Sequence, residues 1–200
     1  MGVIFETAYE LPVSDQPLTH ARIAHANNWL SGNASASTTA TGYYADAPLN
    51  SLTYEKWKPT SSSSTWILAA SGTCDYCCIG AHDLGSLWCS VHIERWTGST
   101  WSDLTDATAI SDDMPIMFIF EPQTASQWRV SITGGTPEIG VIRFGRALQM
   151  QRPLYGGHSP IDLARQTITR ATMSETGEFL GRTKQRVYSQ SSFSWADLKA

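Results

Sequence analysis

Four cysteines fall within sixteen residues of this 200-residue chain, and their spacing is the first feature that suggests chemistry: Cys74, Cys77, Cys78 and Cys89. Cys74 and Cys77 form a C-x-x-C pair of the kind that zinc sites use, and Cys89, His82 or His92 could complete the ligand set. No second C-x-x-C or H-x-H pair follows at the usual spacing. Side chains alternate between the two faces of a strand, so Cys74 and Cys77 are expected to point apart. The pattern favours buried free thiols over zinc or a disulfide, and we predict no metal site and no cofactor.

Catalytic motifs would be a second source of chemistry. The carboxylates are scattered, and none of the G-x-S-x-G, H-E-x-x-H or phosphate-binding loop patterns occurs. His82 and Asp83 stand at the end of a predicted strand, where catalytic groups often lie. A turn-forming Asp beside a hydrogen-bonding His is the commoner arrangement. We therefore predict no catalytic residues and no enzyme activity.

Aromatic residues offer a third kind of chemistry, because sugar-binding sites combine an aromatic platform with a few directed polar groups. The chain has eight tryptophans. The candidates for a glycan platform are Trp57, Trp88, Trp96 and Trp101. Each also stands where the core or rim of a sandwich needs a large residue, so core packing is the commoner role for any one of them. Two of them exposed together at one end would favour the platform.

Composition limits the remaining classes of function. Hydrophobic residues make up 42% of the chain and charged residues 16%, so a packed core is expected. A net charge of -4 argues against a nucleic-acid partner, which needs clustered Lys and Arg. No apolar run approaches the roughly 18 residues of a membrane span. The N-terminus lacks a basic-then-apolar secretion signal, so we expect the chain to be made and first used in a cytoplasm.

The segments that must position these residues read as short strands separated by Gly, Pro, Ser and Asp. Residues 90–96 alternate between apolar and polar, and Thr97-Gly98-Ser99 supplies a tight turn after them. Further runs typical of strands are residues 74–81, 115–121, 127–133 and 140–144. At least seven short strands between residues 43 and 146 predict an all-β, antiparallel sandwich.

The segments on either side of residues 43–146 have a different character. Residues 1–42 are predicted to be an N-terminal arm with a short helical or loop segment over 18–30. Residues 147–200 are rich in Arg and poor in large apolar residues, which indicates an extended C-terminal arm or the start of a further domain. Ordering such a segment costs roughly 1–2 kcal/mol per residue in backbone entropy. We therefore predict that contacts with other subunits order it, through Arg152, Tyr155, Arg170, Phe179 and Arg182.

The order of these segments resembles a known superfamily. TYEKWKP, CDYCCIGAHDLGS, VHIERWTGSTWSDL, QWRVSITGG and IGVIRFG follow one another as in discoidin-like (galactose-binding-like, F5/8 type C) jelly rolls. The turn at residues 97–101 and the strand at residues 129–132 match its D/S-G-x-x-W turn and late R-hydrophobic strand. Their order, with the Gly181-Arg182 region, also resembles virion structural proteins from the tail or tail tip of tailed bacteriophages. The resemblance covers about residues 43–190.

Two departures from the superfamily affect what the resemblance implies. Its pair of terminal cysteines is absent, which fits assembly in a reducing cytoplasm. Its polar, calcium-assisted loop has no clear counterpart, although carboxylates are available at Asp46, Asp83, Asp112 and Asp113. The resemblance therefore implies the fold more strongly than it implies sugar binding.

The resemblance implies a non-enzymatic structural protein of a phage virion, placed in the tail tip or baseplate. Its expected location is the virion, after assembly in the host cytoplasm. Its expected partners are other virion proteins and copies of itself in a symmetric ring, with no nucleic acid and no membrane span. The alternative is a carbohydrate-binding module that recognises host surface glycans.

Overall fold

The computed structural model describes residues 2–6, 9–27, 33–50, 52–154, 165–189, 193 and 195. The chain divides into two compact units, Met1–Pro17 with Arg22–Gln149, and Leu18–Ala21 with Met150–Ala200. Strands dominate both units, and the described part contains a single 3-10 turn, Ala47–Leu49. No helix among these residues has the length and apolar character needed to span a membrane.

The first unit is a jelly-roll sandwich of two sheets. Its strands are β1 (Gly2–Phe5), β2 (Arg22–Asn27), β3 (Asn33–Ala36), β4 (Ser63–Ala69), β5 (Gly72–His82), β6 (Ser90–Trp96), β7 (Trp101–Asp103), β8 (Thr108–Ala109), β9 (Ile116–Ala125), β10 (Trp128–Thr133) and β11 (Ile139–Gln149). The five-stranded sheet has the order β1-β9-β5-β11-β2, and the six-stranded sheet has the order β3-β4-β10-β6-β7 with β8 beside β6. All pairs are antiparallel except β1 with β9. The all-β jelly-roll prediction is confirmed.

Alternation along the strands builds the core between the sheets. In β10, Trp128, Val130 and Ile132 point inward and are buried. The ring of Trp128 packs between Phe120 and Phe144, with centroid separations of 6.4 Å and 5.8 Å. Its indole N–H donates to the carbonyl of Ala70 at 3.1 Å, so the polar atom of this core residue is satisfied.

The cysteines belong to this core, which corrects one step of the sequence argument. Cys74 and Cys77 were expected on opposite faces of a strand, but both are fully buried in the same core cluster. The reason is a register shift in β5 between Cys74 and Tyr76, which resets the alternation. Cys89 is also buried and Cys78 is half-buried, so the prediction that most of the thiols are buried is confirmed.

Residues 1–42 differ from the expected arm with a short helical or loop segment. They supply β1, β2 and β3, each at an edge of a sheet. β2 lies where helical turns were predicted, and it pairs with the C-terminal half of β11. The run RIAHAN has only a weak preference for helix, so ladder hydrogen bonds to β11 decide its conformation. β11 also runs to Gln149, three residues beyond the predicted end of the sandwich at 146.

The second unit contains a two-stranded antiparallel hairpin, β12 (Arg165–Met173) and β13 (Phe179–Ser189). Its turn is closed by hydrogen bonds between Ser174 and Glu178, and Gly177 takes a positive φ of 86° there. Isolated two-stranded hairpins are marginally stable in water.

Candidate functional site

Trp57 was predicted as part of a glycan platform, and its burial corrects that prediction. The side chain is fully buried, and the indole N–H donates to the carbonyl of Thr38 at 3.0 Å. The backbone of Trp57 pairs with Ile139 through hydrogen bonds of 2.9 Å in both directions. A ring enclosed in the core offers no face to a ligand, so Trp57 anchors the segment before β4 instead.

The other three predicted tryptophans do not form one surface. Trp96 and Trp101 pair across β6 and β7, half-buried, with ring centroids 5.3 Å apart in an edge-on arrangement. The guanidinium of Arg129 lies 4.3 Å from the Trp101 centroid and covers part of that ring. Trp88 is 83% exposed and precedes β6, whereas Trp96 ends it. Strand geometry separates them by roughly 20 Å.

A network of charged groups lies beside the Trp96–Trp101 pair on the outer face of the six-stranded sheet. Glu94 accepts hydrogen bonds from Arg129 and from the hydroxyl of Ser131. Burial alone would raise the pKa of Glu94, but these hydrogen bonds outweigh burial and hold it below its usual value. His92, Glu94 and Asp103 have ligand atoms within 4.8 Å of one another. Because Arg129 already neutralises Glu94, we interpret this network as a structural clamp between β6 and β10.

The described part of the sandwich has a concave surface around residues 42–56, which we name the tyrosine cleft. A cavity of about 380 Å³ is lined by Gly42, Tyr43, Tyr44, Asp46, Ala47, Asn50, Tyr54, Glu55 and Lys56. A second opening of about 600 Å³ shares Tyr43, Tyr44 and Asp46 and adds Asn33, Ala34, Thr39, Ala45 and Leu49. The three shared residues thus form the wall between two recesses of the surface.

The sandwich holds the tyrosine cleft in place from beneath. Ala47 and Pro48 are buried in the 3-10 turn, and Pro48 suits the first turn of a helix because it lacks an N–H. Arg143 of β11 donates to the carbonyls of Pro48 at 2.7 Å and Asn50 at 2.5 Å. The core residue Trp66 donates its indole N–H to the carbonyl of Ala45 at 2.7 Å. The backbone of the cleft is therefore tied at three points to the sandwich, by two bonds from Arg143 and one from Trp66.

Glu138, just before β11, fixes one wall of the tyrosine cleft. Its carboxylate accepts a hydrogen bond from the hydroxyl of Tyr43 at 2.7 Å, and from the ammonium groups of Lys56 at 3.1 Å and Lys58 at 3.2 Å. These bonds, the one from Tyr43 first, lower the pKa of Glu138 to about 2. The same hydrogen bond raises the pKa of Tyr43.

The rest of the cleft lining combines exposed rings with polar side chains. Tyr44 is 69% exposed and Tyr54 is 75% exposed. Asn50 donates to Glu55 at 2.5 Å and accepts from the backbone of Leu52 at 2.7 Å, which orders the turn that carries Tyr54. Exposed rings beside fixed polar groups are the combination that sugar rings require.

The sequence prediction missed this cleft because it sought a platform among the tryptophans. The signal was present in GYYADAPLNSLTYEKWK, where three tyrosines alternate with Asp, Asn, Glu and a Pro turn. Of the carboxylates considered for a calcium-assisted loop, Asp46 lines the cleft. Asp83, Asp112 and Asp113 instead accept hydrogen bonds from backbone N–H groups in nearby loops.

The predicted assembly residues lie outside the sandwich. Arg152 is exposed, as are Arg170 of β12 and both Phe179 and Arg182 of β13. Tyr155 falls outside the described residues. The role of these side chains in assembly stays a prediction.

Solved structures of carbohydrate-binding modules share this fold. A family 32 module from Clostridium perfringens in complex with GalNAc-β-1,3-galactose has a TM-score of 0.52 at 9% identity, covering 60% of this chain and 99% of that chain. Another family 32 module from C. perfringens, in complex with galactose, has a TM-score of 0.50 at 13% identity, covering 60% and 96%. A GH29 fucosidase from Ruminococcus gnavus in complex with fucose has a TM-score of 0.50 at 15% identity, covering 61% of this chain and 27% of the enzyme.

The sequence matches no protein-family model and no curated protein. At these identities the structural likeness establishes the fold alone, an antiparallel jelly roll that this chain shares with carbohydrate-binding modules. The neighbours include carbohydrate-binding modules and a part of a glycoside hydrolase. A shared fold does not determine which ligand or partner this chain binds; its own residues do.

Proposed function

We propose that this chain is a non-catalytic carbohydrate-binding module, and that it binds a glycan in the tyrosine cleft. The observation that carries the proposal is the cleft itself. Three tyrosines, Tyr43, Tyr44 and Tyr54, surround a recess of about 380 Å³ that also contains carboxylate, amide and ammonium groups. The glycan-binding function of the modules that share the fold supports the same conclusion.

The rings and the polar groups have separate tasks in this proposal. The C–H face of a sugar packs on an exposed ring such as Tyr54, which gives affinity without requiring one particular sugar. Asp46, Asn50 and Glu55 offer hydrogen-bonding groups for sugar hydroxyls, which selects the arrangement of those hydroxyls. Because Arg143 fixes the backbone that carries these side chains, little ordering is needed on binding.

Calorimetric titration of the full chain against a panel of neutral and acidic oligosaccharides tests this function. Tyr54→Ala and Tyr44→Ala should each weaken binding of the best ligand roughly 3- to 10-fold, the loss expected when one ring contact is removed. Tyr54→Phe should retain most of the affinity if stacking dominates. Trp88→Ala is the matched control, since Trp88 is also an exposed aromatic residue but lies outside the cleft.

Two results would contradict the assignment in different ways. Loss of binding in Trp88→Ala, with full affinity in both tyrosine variants, would place the glycan elsewhere on the sandwich. Failure of the folded wild-type chain to bind any member of a broad panel would remove the proposed function.

The choice of a host surface glycan as ligand, and a place in a bacteriophage tail tip or baseplate, stay predictions. The solved structures named above are modules and an enzyme of carbohydrate metabolism rather than virion proteins. One feature favours an additional assembly role: the hairpin β12–β13 exposes Arg170, Phe179 and Arg182. Light scattering of the full chain across a concentration series tests it. An oligomer that Arg182→Glu dissociates would support the role, and a monomer throughout would contradict it.

A further inference from the structure

Glu138 connects distant parts of the sequence at the edge of the tyrosine cleft. Its backbone N–H donates to the carboxylate of Asp83 at 2.7 Å, which fixes its position at the start of β11. Its side chain then meets three residues that lie 80 to 95 positions earlier in the chain: Tyr43, Lys56 and Lys58. Tyr43 and Lys56 line the cleft and Lys58 lies two residues beyond Lys56, so Glu138 links the cleft segment to the sandwich.

Both oxygens of the Glu138 carboxylate are occupied. Oε1 accepts from the Tyr43 hydroxyl and the Lys58 ammonium, and Oε2 accepts from the Lys56 ammonium. Lys58 also lies over the Tyr43 ring, 5.6 Å from its centroid. The carboxylate therefore sets the orientation of the Tyr43 side chain and holds both ammonium groups in ion pairs.

The pairing of Lys56 determines which charges the cleft presents to a ligand. Lys56 is the cationic side chain among the described residues that line the cleft, and it is ion-paired with Glu138, which shares its single negative charge with Lys58. Asp46 and Glu55 line the same recess as carboxylates. Within the described residues Asp46 makes no hydrogen bond or ion pair through its side chain, and Glu55 is engaged through one oxygen by Asn50. The groups left for a ligand are mainly acceptors, which suit sugar hydroxyls and repel sugar carboxylates.

We propose that Glu138 is a positioning and specificity-determining residue of this site: it holds the Tyr43 wall and masks Lys56, so that the cleft takes uncharged sugars and rejects acidic ones. This inference rests on the proposed glycan-binding function. Loss of the Glu138 charge frees the Lys56 ammonium, which then faces the recess and attracts a sugar carboxylate. Glu138 itself need not touch the ligand.

A test without ligand examines the positioning role. The phenol of Tyr43 is titrated by ultraviolet absorbance, with Tyr43→Phe identifying its contribution among the seven tyrosines. Glu138→Gln should lower the pKa of Tyr43 towards the ordinary value, because the hydrogen bond to the carboxylate is what raises it most. Glu138→Asp keeps the charge and should retain part of the shift. A Tyr43 titration that is the same in wild type and Glu138→Gln would overturn the positioning role.

A matched pair of sugars examines specificity. Galactose and galacturonic acid differ only at C6, so the ratio of their affinities isolates the effect of a carboxylate. Wild type should favour galactose, and Glu138→Gln should shift the ratio towards galacturonic acid by about fivefold, the effect expected of one exposed charge pair. The double variant Glu138→Gln/Lys56→Met should abolish that shift, and Glu138→Asp should keep the wild-type ratio. Thermal unfolding of each variant confirms that it is folded.

The outcomes separate this inference from the proposed function. If wild type binds galactose and the ratio is unchanged in Glu138→Gln, the specificity role is wrong while glycan binding stands. If the shift appears but persists in the double variant, Lys56 is not the masked group and the inference is overturned. If folded wild type binds neither sugar nor any panel member, the proposed function fails and the specificity role fails with it. The Tyr43 titration still decides the positioning role.

Discussion

Replacing Trp57 distinguishes a core anchor from a ligand platform, because the two roles predict opposite results. In the structure the ring is fully buried, and its N–H is bonded to the carbonyl of Thr38 at 3.0 Å. Trp57→Phe removes the donor, keeps an aromatic ring and leaves a small void. An unpaired, partly buried carbonyl costs about 1–3 kcal/mol. The lost volume adds to that cost, so we expect a total of about 2–4 kcal/mol.

Thermal and urea unfolding measure this loss. A domain of about 150 residues loses roughly 2–4 °C of melting temperature per kcal/mol, so Trp57→Phe should melt roughly 4–16 °C below wild type. Trp88→Phe is the matched control and should change stability by less than about 0.5 kcal/mol, because Trp88 is 83% exposed. Trp57→Ala should be somewhat more damaging, at about 3–5 kcal/mol, because it leaves a larger void.

Glycan affinity supplies the decisive comparison. Trp57→Phe, assayed well below its melting temperature, should retain the affinity of wild type, because no ligand can reach a ring enclosed in the core. A variant with wild-type stability and lost binding would show that Trp57 is a platform after all. The core interpretation would then be wrong.

Two further predictions concern the loops at the end of β5. A Cβ at Gly85 would lie within 2.5 Å of backbone atoms of Asp112, so Gly85→Ala should cost about 1–3 kcal/mol or more in urea unfolding. Gly98→Ala is the control, because a Cβ there would meet no atom within 4 Å and only the positive φ of Gly98 opposes it. Equal losses of stability in the two variants would contradict the steric argument. The Nε2 atom of His82 is hydrogen-bonded to the carbonyl of Met114, and burial lowers the pKa of this side chain. The neutral His82 therefore stabilises the folded state above the unfolded pKa of 6.5, and this stabilisation is lost as the pH falls through the lower folded pKa. Stability should decline as the pH falls below about 6.5 and decline less in His82→Gln, whereas identical slopes would refute the assignment.

Local sequence pattern by itself determines much of this fold. Residues 90–94 alternate between polar and apolar and begin β6 at the predicted residue, because alternation matches the two faces of a strand. Residues 115–120 are uniformly apolar, and they supply the buried first half of β9. Gly98 closes the predicted turn with a φ of 100°, a conformation that glycine adopts without steric cost. These features depend on neighbours in the sequence, so the sequence is sufficient to predict them.

Pairing between segments far apart in the sequence decided which tryptophans are buried and where the cleft forms. Trp57 is flanked by two lysines and Trp88 by Leu87 and Cys89, yet Trp57 is fully buried and Trp88 is 83% exposed. The difference in burial depends on which segment pairs with each residue, and the backbone of Trp57 pairs with Ile139. The tyrosine cleft likewise requires Glu138 to meet a segment 80 to 95 residues earlier. A sequence records the groups that can form such contacts, but the paired sheets decide which of them come within hydrogen-bonding distance.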